Sequence, residues 1–343
     1  MNTFNSSTTR YDPSSWPYFE EFTLAIKILR PCGPAIILFG FLANLTNIVV
    51  FLKAGVKDNV TALLLSLSVS DLTFLVLIAP SACTFVILIF APQWSYPFYR
   101  GFLEEMLYWP AYTFYDFSSY ISVWLGVTRC ACVAMPLQFK SVFTKARTVR
   151  AILALFILAV CLRLPVMSMF RLAWRTDPHT NSSSVHLRRE NSESIVRFND
   201  VFNRTSMPWI NFIIMVTCVV VIKIKLYQAS LVRKSHTSTP ASDSKQTTAE
   251  GLDEQGRSSK DLRVIQSVVL ICCIFIASQL PFLVYSTVRL INPDFDVLRR
   301  LQNLFFIFTT LSRTCSYLNA SVNIFVYYNY NSKYKAIFLS LLG

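Results

Sequence analysis

Residues 126–140, GVTRCACVAMPLQFK, decide how the chain is read. They close a long apolar and aromatic run over 108–125, interrupted mainly by Asp116, and they place Arg129 where that run gives way to a basic loop. An arginine at the centre of a bilayer costs about 2.5–3.5 kcal/mol on insertion scales, whereas one near a helix end reaches the interface or bonds partners inside a bundle. Arg129 therefore reads as an interfacial anchor or as a polar latch facing a cytoplasmic partner.

Composition agrees with a membrane setting. The 343 residues are 53% hydrophobic and 15% charged, against roughly 45–50% and 25% in soluble domains. The net charge of +13 is spread between apolar segments and forms no basic stripe with interleaved aromatics, so no nucleic-acid partner is expected. The nine cysteines lie within or at the ends of apolar segments, and Cys130-x-Cys132 has no further Cys or His beside it. Neither a metal site nor a disulfide framework is expected. His179, His186 and His236 are isolated loop residues, and the soluble segments offer no nucleophile and base pair, so the chain does not read as an enzyme.

Outward from Arg129, apolar runs recur at about 31–53, 60–90, 102–133, 148–170, 207–232, 261–290 and 300–328. Each reaches the roughly 20 residues that cross a hydrocarbon core. The fold expected is an all-α membrane protein, a seven-transmembrane helix bundle over 31–330 with a short cytoplasmic amphipathic helix at 331–343. Residues 1–30 read as an extracellular segment without a signal peptide, the first apolar helix serving as the targeting signal. The Ser/Thr-rich stretch 235–260 reads as a disordered third cytoplasmic loop and a kinase substrate. Residues 91–101, with Trp94, suit an interfacial turn.

Polar residues inside the spans predict a bundle. Asn44 and Asn47 in the first run need partners from other helices. Asp71 in the second is an intramembrane carboxylate, a group that usually lines a water-filled or ion-binding interior. Pro281 predicts a kink in the sixth run. Glycosylation sequons at Asn5, Asn181 and Asn203 fall on one face of this topology, which places the N-terminus outside a plasma membrane. A further sequon at Asn59 falls on the opposite face, and the positive-inside balance agrees with the orientation only in part.

Together these landmarks resemble the rhodopsin-like family of G protein-coupled receptors. The likeness rests on Asn44, LSLSVSDL with Asp71, TRCACVAMPLQFK with Arg129, FIASQLP with Pro281, and NIFVY with Asn323 and Tyr327, and it covers nearly the whole chain. It implies a polar core of Asn44, Asp71, Asn319 and Asn323 that holds water and often a sodium ion. It implies coupling and activation roles for Thr128, Arg129, Phe275, Pro281 and Tyr327, with no other cofactor. The partners it implies are an extracellular ligand, a heterotrimeric G protein, receptor kinases and arrestin on the Ser/Thr-rich loop, and the lipid bilayer.

Four departures from the family pattern stand out. Thr128 replaces the acid before the arginine, Cys130 the tyrosine after it, Gln279 the tryptophan of the sixth-helix motif, and Ile324 the proline of the seventh. No cysteines stand where the family's extracellular disulfide forms. Tyr317 stands where a retinal-binding lysine would be, which argues against light detection. Ala111 stands where amine receptors carry an aspartate, which disfavours a monoamine.

The candidate ligand site is an aromatic and mixed-charge set in the outer half. Tyr108, Tyr112, Tyr115 and Asp116 come from the third span, Arg163 from the fourth, Gln279 and Arg289 from the sixth, and Arg313 and Tyr317 from the seventh. Arginine forks fit carboxylates and aromatics supply rigid contact area, so a peptide or an acidic small molecule fits better than a bare amine. The alternative is that these residues are anchors or interhelical pairs, such as Asp116 with Arg163. The pattern is similar to invertebrate receptors of the peptide and chemosensory type, through TFYD, R-C-x-C-V-x-x-P-L-x-F-K and NIFVYY. Two other readings stay open: a seven-span transporter or channel, and a non-signalling decoy receptor.

Overall fold

A computed structural model describes residues 17–90, 97–176, 183–190, 192–237 and 249–341. Asn5, Asn181, Trp94 and the middle of the Ser/Thr-rich stretch lie outside the described residues.

The long helices are α1 (Phe19–Ala54), α2 (Asn59–Phe90), α3 (Pro97–Ala134), α5 (Lys145–Met167), α7 (Met207–Thr237), α8 (Ala249–Ile291) and α9 (Gln302–Ser321). Short helices α4 (Pro136–Val142), α6 (Glu193–Phe198), α10 (Asn323–Tyr330) and α11 (Ser332–Leu339) join or extend them. Strands β1 (Phe170–Thr176) and β2 (Ser183–Arg189) form an antiparallel hairpin after α5.

The bundle is apolar on its surface and in much of its core, and polar along its inner seam. Leu38, Leu42 and Leu52 of α1 and Leu153, Ile157 and Leu164 of α5 face outward, whereas Asn44, Asn47, Ser68, Asp71 and Ser118 are buried. In water that outer surface would be a large apolar patch, so hydrocarbon is its natural solvent. Among the described residues, six helices are long and apolar enough to cross a membrane. The seventh, α9, carries Arg313, Asn319 and several Ser and Thr, and it is held by packing on α1, α8 and α2.

Helix α3 is the central element, in contact with α2, α5, α7 and α8. It approaches its neighbours closely at Gly126, where a Cβ would come 2.9 Å from Met215 Sδ and 3.4 Å from Cys272 Sγ. A larger residue there would push α7 and α8 away. Helices α1 and α9 meet in the same way at Gly40, whose Cβ would overlap Ser321 Oγ and lie 2.6 Å from Leu75 Cδ1.

Several element bounds differ from the sequence reading. Helix α1 begins at Phe19, with Pro31 and Pro34 inside it, so the later part of the expected N-terminal segment is helical. Asn303 of α9 donates to Pro17 O and the Phe22 ring sits 6.0 Å from Phe306, which ties that extension to the bundle. The stretch 171–206, which reads only as hydrophilic, forms the hairpin, α6 and a π-helical segment (Asn199–Ser206) that runs straight into α7. The stretch 235–260 is not without structure throughout, since α7 continues to Thr237 and α8 starts at Ala249. The added turns of α8 mix good helix formers (Ala249, Glu250, Leu252, Glu254, Gln255, Arg257 and Lys260) with poor ones, among them Gly251 and Gly256.

Candidate functional site

The polar core forms where α2, α3 and the α9–α10 junction converge. Asp71 is buried and accepts from Ser118 Oγ at 2.5 Å and from Asn323 Nδ2 at 3.0 Å. Asn44 donates to Gly40 O and across to Ala320 O at 2.7 Å, while its Oδ1 accepts no hydrogen bond from the described residues. The second buried asparagine, Asn47, accepts from Tyr334 Oη of α11 at 2.6 Å. Both asparagines thus find partners on other helices, as a buried amide in hydrocarbon requires. Asn319 is buried one turn before Asn323. All four core residues are identifiable in the sequence, but Ser118 is not, since it carries no signal of its own in a serine-rich helix.

Asp116 and Arg163 find each other. Arg163 Nε lies 2.5 Å from Asp116 Oδ2, and its Nη1 reaches Asn199 Oδ1 at 3.4 Å. Its guanidinium also sits 5.9 Å from the Trp109 ring centroid. The pair is an interhelical brace, since each charge is already neutralised. Beside it, Gln279 Nε2 donates to Tyr115 Oη at 2.9 Å, so the residue at the tryptophan position ties α8 to α3. Tyr112, Tyr115, Asp116, Arg163 and Gln279 line one cavity of about 20 Å³, room for about one water.

Toward the hairpin end the charges form a second group. Arg289 pairs with Asp200 at 2.9 Å and Asp296 at 3.0 Å. Arg204 donates to Tyr285 Oη at 3.1 Å and lies 3.6 Å from Asp200. Asp200, Arg204, Arg289 and Asp296 line a cavity of about 110 Å³. Arg313 is elsewhere, 5.4 Å from the Tyr108 ring centroid, with Tyr112 against Tyr108 at 4.6 Å and Tyr317 one turn along α9. The nine candidates therefore fall into three neighbouring groups at one end of the bundle. Asp200, Arg204 and Asp296 belong to them without having been singled out by the sequence. Asp200 and Arg204 have the i,i+4 spacing of a helical ion pair, a usable signal, whereas Asp296 sits in a turn and offers none.

At the opposite end, Arg129 is half-buried in the last turns of α3. Thr128 is buried and donates to Leu125 O within its own helix at 2.8 Å. Phe275 and Tyr327 are buried in the main core, and Pro281 lies inside α8. Tyr327 and Tyr334 both pack on Phe51, at 5.2 and 5.5 Å, which holds α11 against α1.

One expectation is corrected. A sequon asparagine must offer its amide to solvent, but Asn203 is buried in the π-helical segment, and its Nδ2 donates to Leu162 O at 2.8 Å and Asn199 Oδ1 at 3.2 Å. It serves as an internal strut between α5 and the start of α7.

These features define a multi-pass membrane protein whose polar chemistry lies inside the bundle. Over residues 43–327 the chain matches the family described as 7 transmembrane receptor (rhodopsin family), and it belongs to that family. That family is one of receptors, not of enzymes or transporters, so the transporter reading falls away. The chain is also 27% identical over 155 residues to the Galanin-like G-protein coupled receptor npr-9 of Caenorhabditis elegans, a match that covers 43% of this chain and 33% of that one. The chain thus spans about a third of the length of that relative.

Proposed function

We propose that the chain is a plasma-membrane receptor for a peptide, bound at the hairpin end, and that it activates a heterotrimeric G protein at the Arg129 end. The observation that carries this reading is the gathering of Arg204, Arg289 and Arg313 with Tyr108, Tyr112, Tyr285 and Tyr317 at the end of the bundle away from Arg129. A peptide offers the carboxylates, amides and rings that such a surface complements. The galanin-like receptor supports the peptide class, and nothing in the site favours a chemosensory small molecule over it. The hairpin end is then extracellular, with the N-terminus and sugars at Asn5 and Asn181 on that side. The Ser/Thr-rich loop faces receptor kinases and arrestin inside the cell.

Ligand affinity differing between two states would move the inner end of α8 about Pro281. The oxygens of Asp71, Ser118 and Asn44 are a hard donor set that suits a sodium ion in the polar core, and the spare Oδ1 of Asn44 supports that fit. Such an ion would offset the Asp71 charge. The test is GTP-analogue exchange on co-expressed G proteins with a peptide library, comparing the unmodified chain with Arg129→Ala. Peptide-dependent exchange in the former, lost in the latter at equal surface level, is expected. Peptide binding without exchange on any G protein would instead identify a decoy receptor.

A further inference from the structure

The buried and half-buried charges described at the hairpin end do not balance. Among the described residues, the buried and half-buried ionic side chains there are Arg163, Arg204, Arg289 and Arg313 against Asp116, Asp200 and Asp296. Asp116 is taken by Arg163, and Asp200 and Asp296 by Arg289, with Arg204 at the edge of the same group. The surplus positive charge is left on Arg313.

The surroundings of Arg313 are aromatic. Its guanidinium lies 5.4 Å from the Tyr108 ring centroid, with the Tyr112 ring 4.6 Å from that of Tyr108 and Tyr317 one turn along α9. Its Nε is buried and makes no hydrogen bond to the described residues. A guanidinium withdrawn from water without an anion is costly, and a ring face recovers only part of the loss. The planar fork of the guanidinium is a shape that a carboxylate matches and a single phenol does not.

Resting on the peptide-receptor reading, we propose that Arg313 receives a carboxylate of the ligand, flanked by an aromatic or aliphatic group that packs on Tyr108, Tyr112 and Tyr317. The carboxylate is a peptide's free C-terminus or an acidic side chain near its end. The ligand then completes the charge balance that the described residues leave open. Arg163 and Arg289 already hold carboxylates of the protein, so they are not the receivers of this one.

Three probes separate these sources on the purified full chain in lipid nanodiscs: N-acetylphenylalanine, its neutral amide, and N-acetylglutamyl-phenylalanine amide. The readout is the rise of the thermal unfolding midpoint with probe concentration. A hydrogen bond to a charged group is expected to lower the half-effect concentration of a matching acid by about tenfold or more relative to the neutral amide. Stabilisation by the first probe identifies a terminal carboxylate, and by the third a side-chain carboxylate. Arg313→Gln should abolish the preference and Arg313→Lys should retain part of it, while Arg299→Gln, an exposed position, leaves it intact. Equal responses to acid and amide on the unmodified chain overturn the proposal, as does a preference that survives in Arg313→Gln or the lack of any response. The comparison on the unmodified chain does not depend on a variant folding. Because it reads binding alone, it is also separate from the exchange assay: an amidated peptide without acidic side chains that drives exchange as well as its free acid would refute the Arg313 assignment and leave the receptor reading standing.

Discussion

Single residues in this bundle act through what hydrocarbon does not supply. Asp116 and Arg163 are stable in the interior only together, with Asn199 taking up one further guanidinium proton. Asp116→Ala should destabilise the receptor by about 3 kcal/mol, the lower part of the range for stranding a buried charge, because Asn199 remains. The double variant Asp116→Ala with Arg163→Leu should recover much of the loss, as read by the thermal inactivation midpoint. Recovery is the informative outcome, since a ligand-contact role for either residue would leave binding impaired after stability returned. At Gly40 the constraint is steric. Gly40→Ala forces α1 away from Ser321 and Leu75 and should cost about 1–3 kcal/mol by the same measurement.

Whole elements are legible in the sequence to the extent that hydrophobicity encodes them. Runs of apolar residues mark the cores of α2, α3 and α5 within a few residues, because a span must be both apolar and long. Elements that depend on tertiary contacts are not visible. The β-hairpin strands alternate weakly, and Arg188 and Arg189 obscure the pattern in β2. The π-helical entry to α7 reads as a polar loop because its buried side is made of asparagines, Asn199 and Asn203, whose partners are far away in sequence. The same reason hides the partners of the candidate site: Arg289 is identifiable, but Asp200 and Asp296 acquire meaning only when three segments meet. Helix α11 illustrates how a short element is held. Its only buried residue, Tyr334, hydrogen-bonds Asn47 and packs on Phe51. Tyr334→Phe leaves the packing and orphans Asn47 Oδ1, an expected loss of about 1–3 kcal/mol. Faster limited proteolysis after Tyr330 in the variant would show α11 undocking first.

On the scale of the whole molecule, the bundle divides into a charged aromatic end, a polar middle and an end that carries Arg129. The divisions follow depth in the membrane, and α3 and α8 run through all three. Gln279 to Tyr115 and Phe275 in the core connect the first division to the second through α8 itself, which makes that helix the natural carrier of a signal between ends. Gln279→Leu removes the tie and leaves the packing, so it should change the peptide dependence of nucleotide exchange more than it changes the thermal midpoint. Equal loss of both would make the Gln279–Tyr115 bond a brace only.

The modest apolarity of α9 bears on how the protein is made. The other six spans are long and apolar enough by composition to cross a bilayer, whereas α9, with Arg313, Ser316, Asn319 and Ser321, is less apolar. It becomes tolerable in hydrocarbon only when Asn44 is there to bond Ala320 O and the Tyr108 ring to cover Arg313. The last crossing is therefore conditional on the assembly of the others.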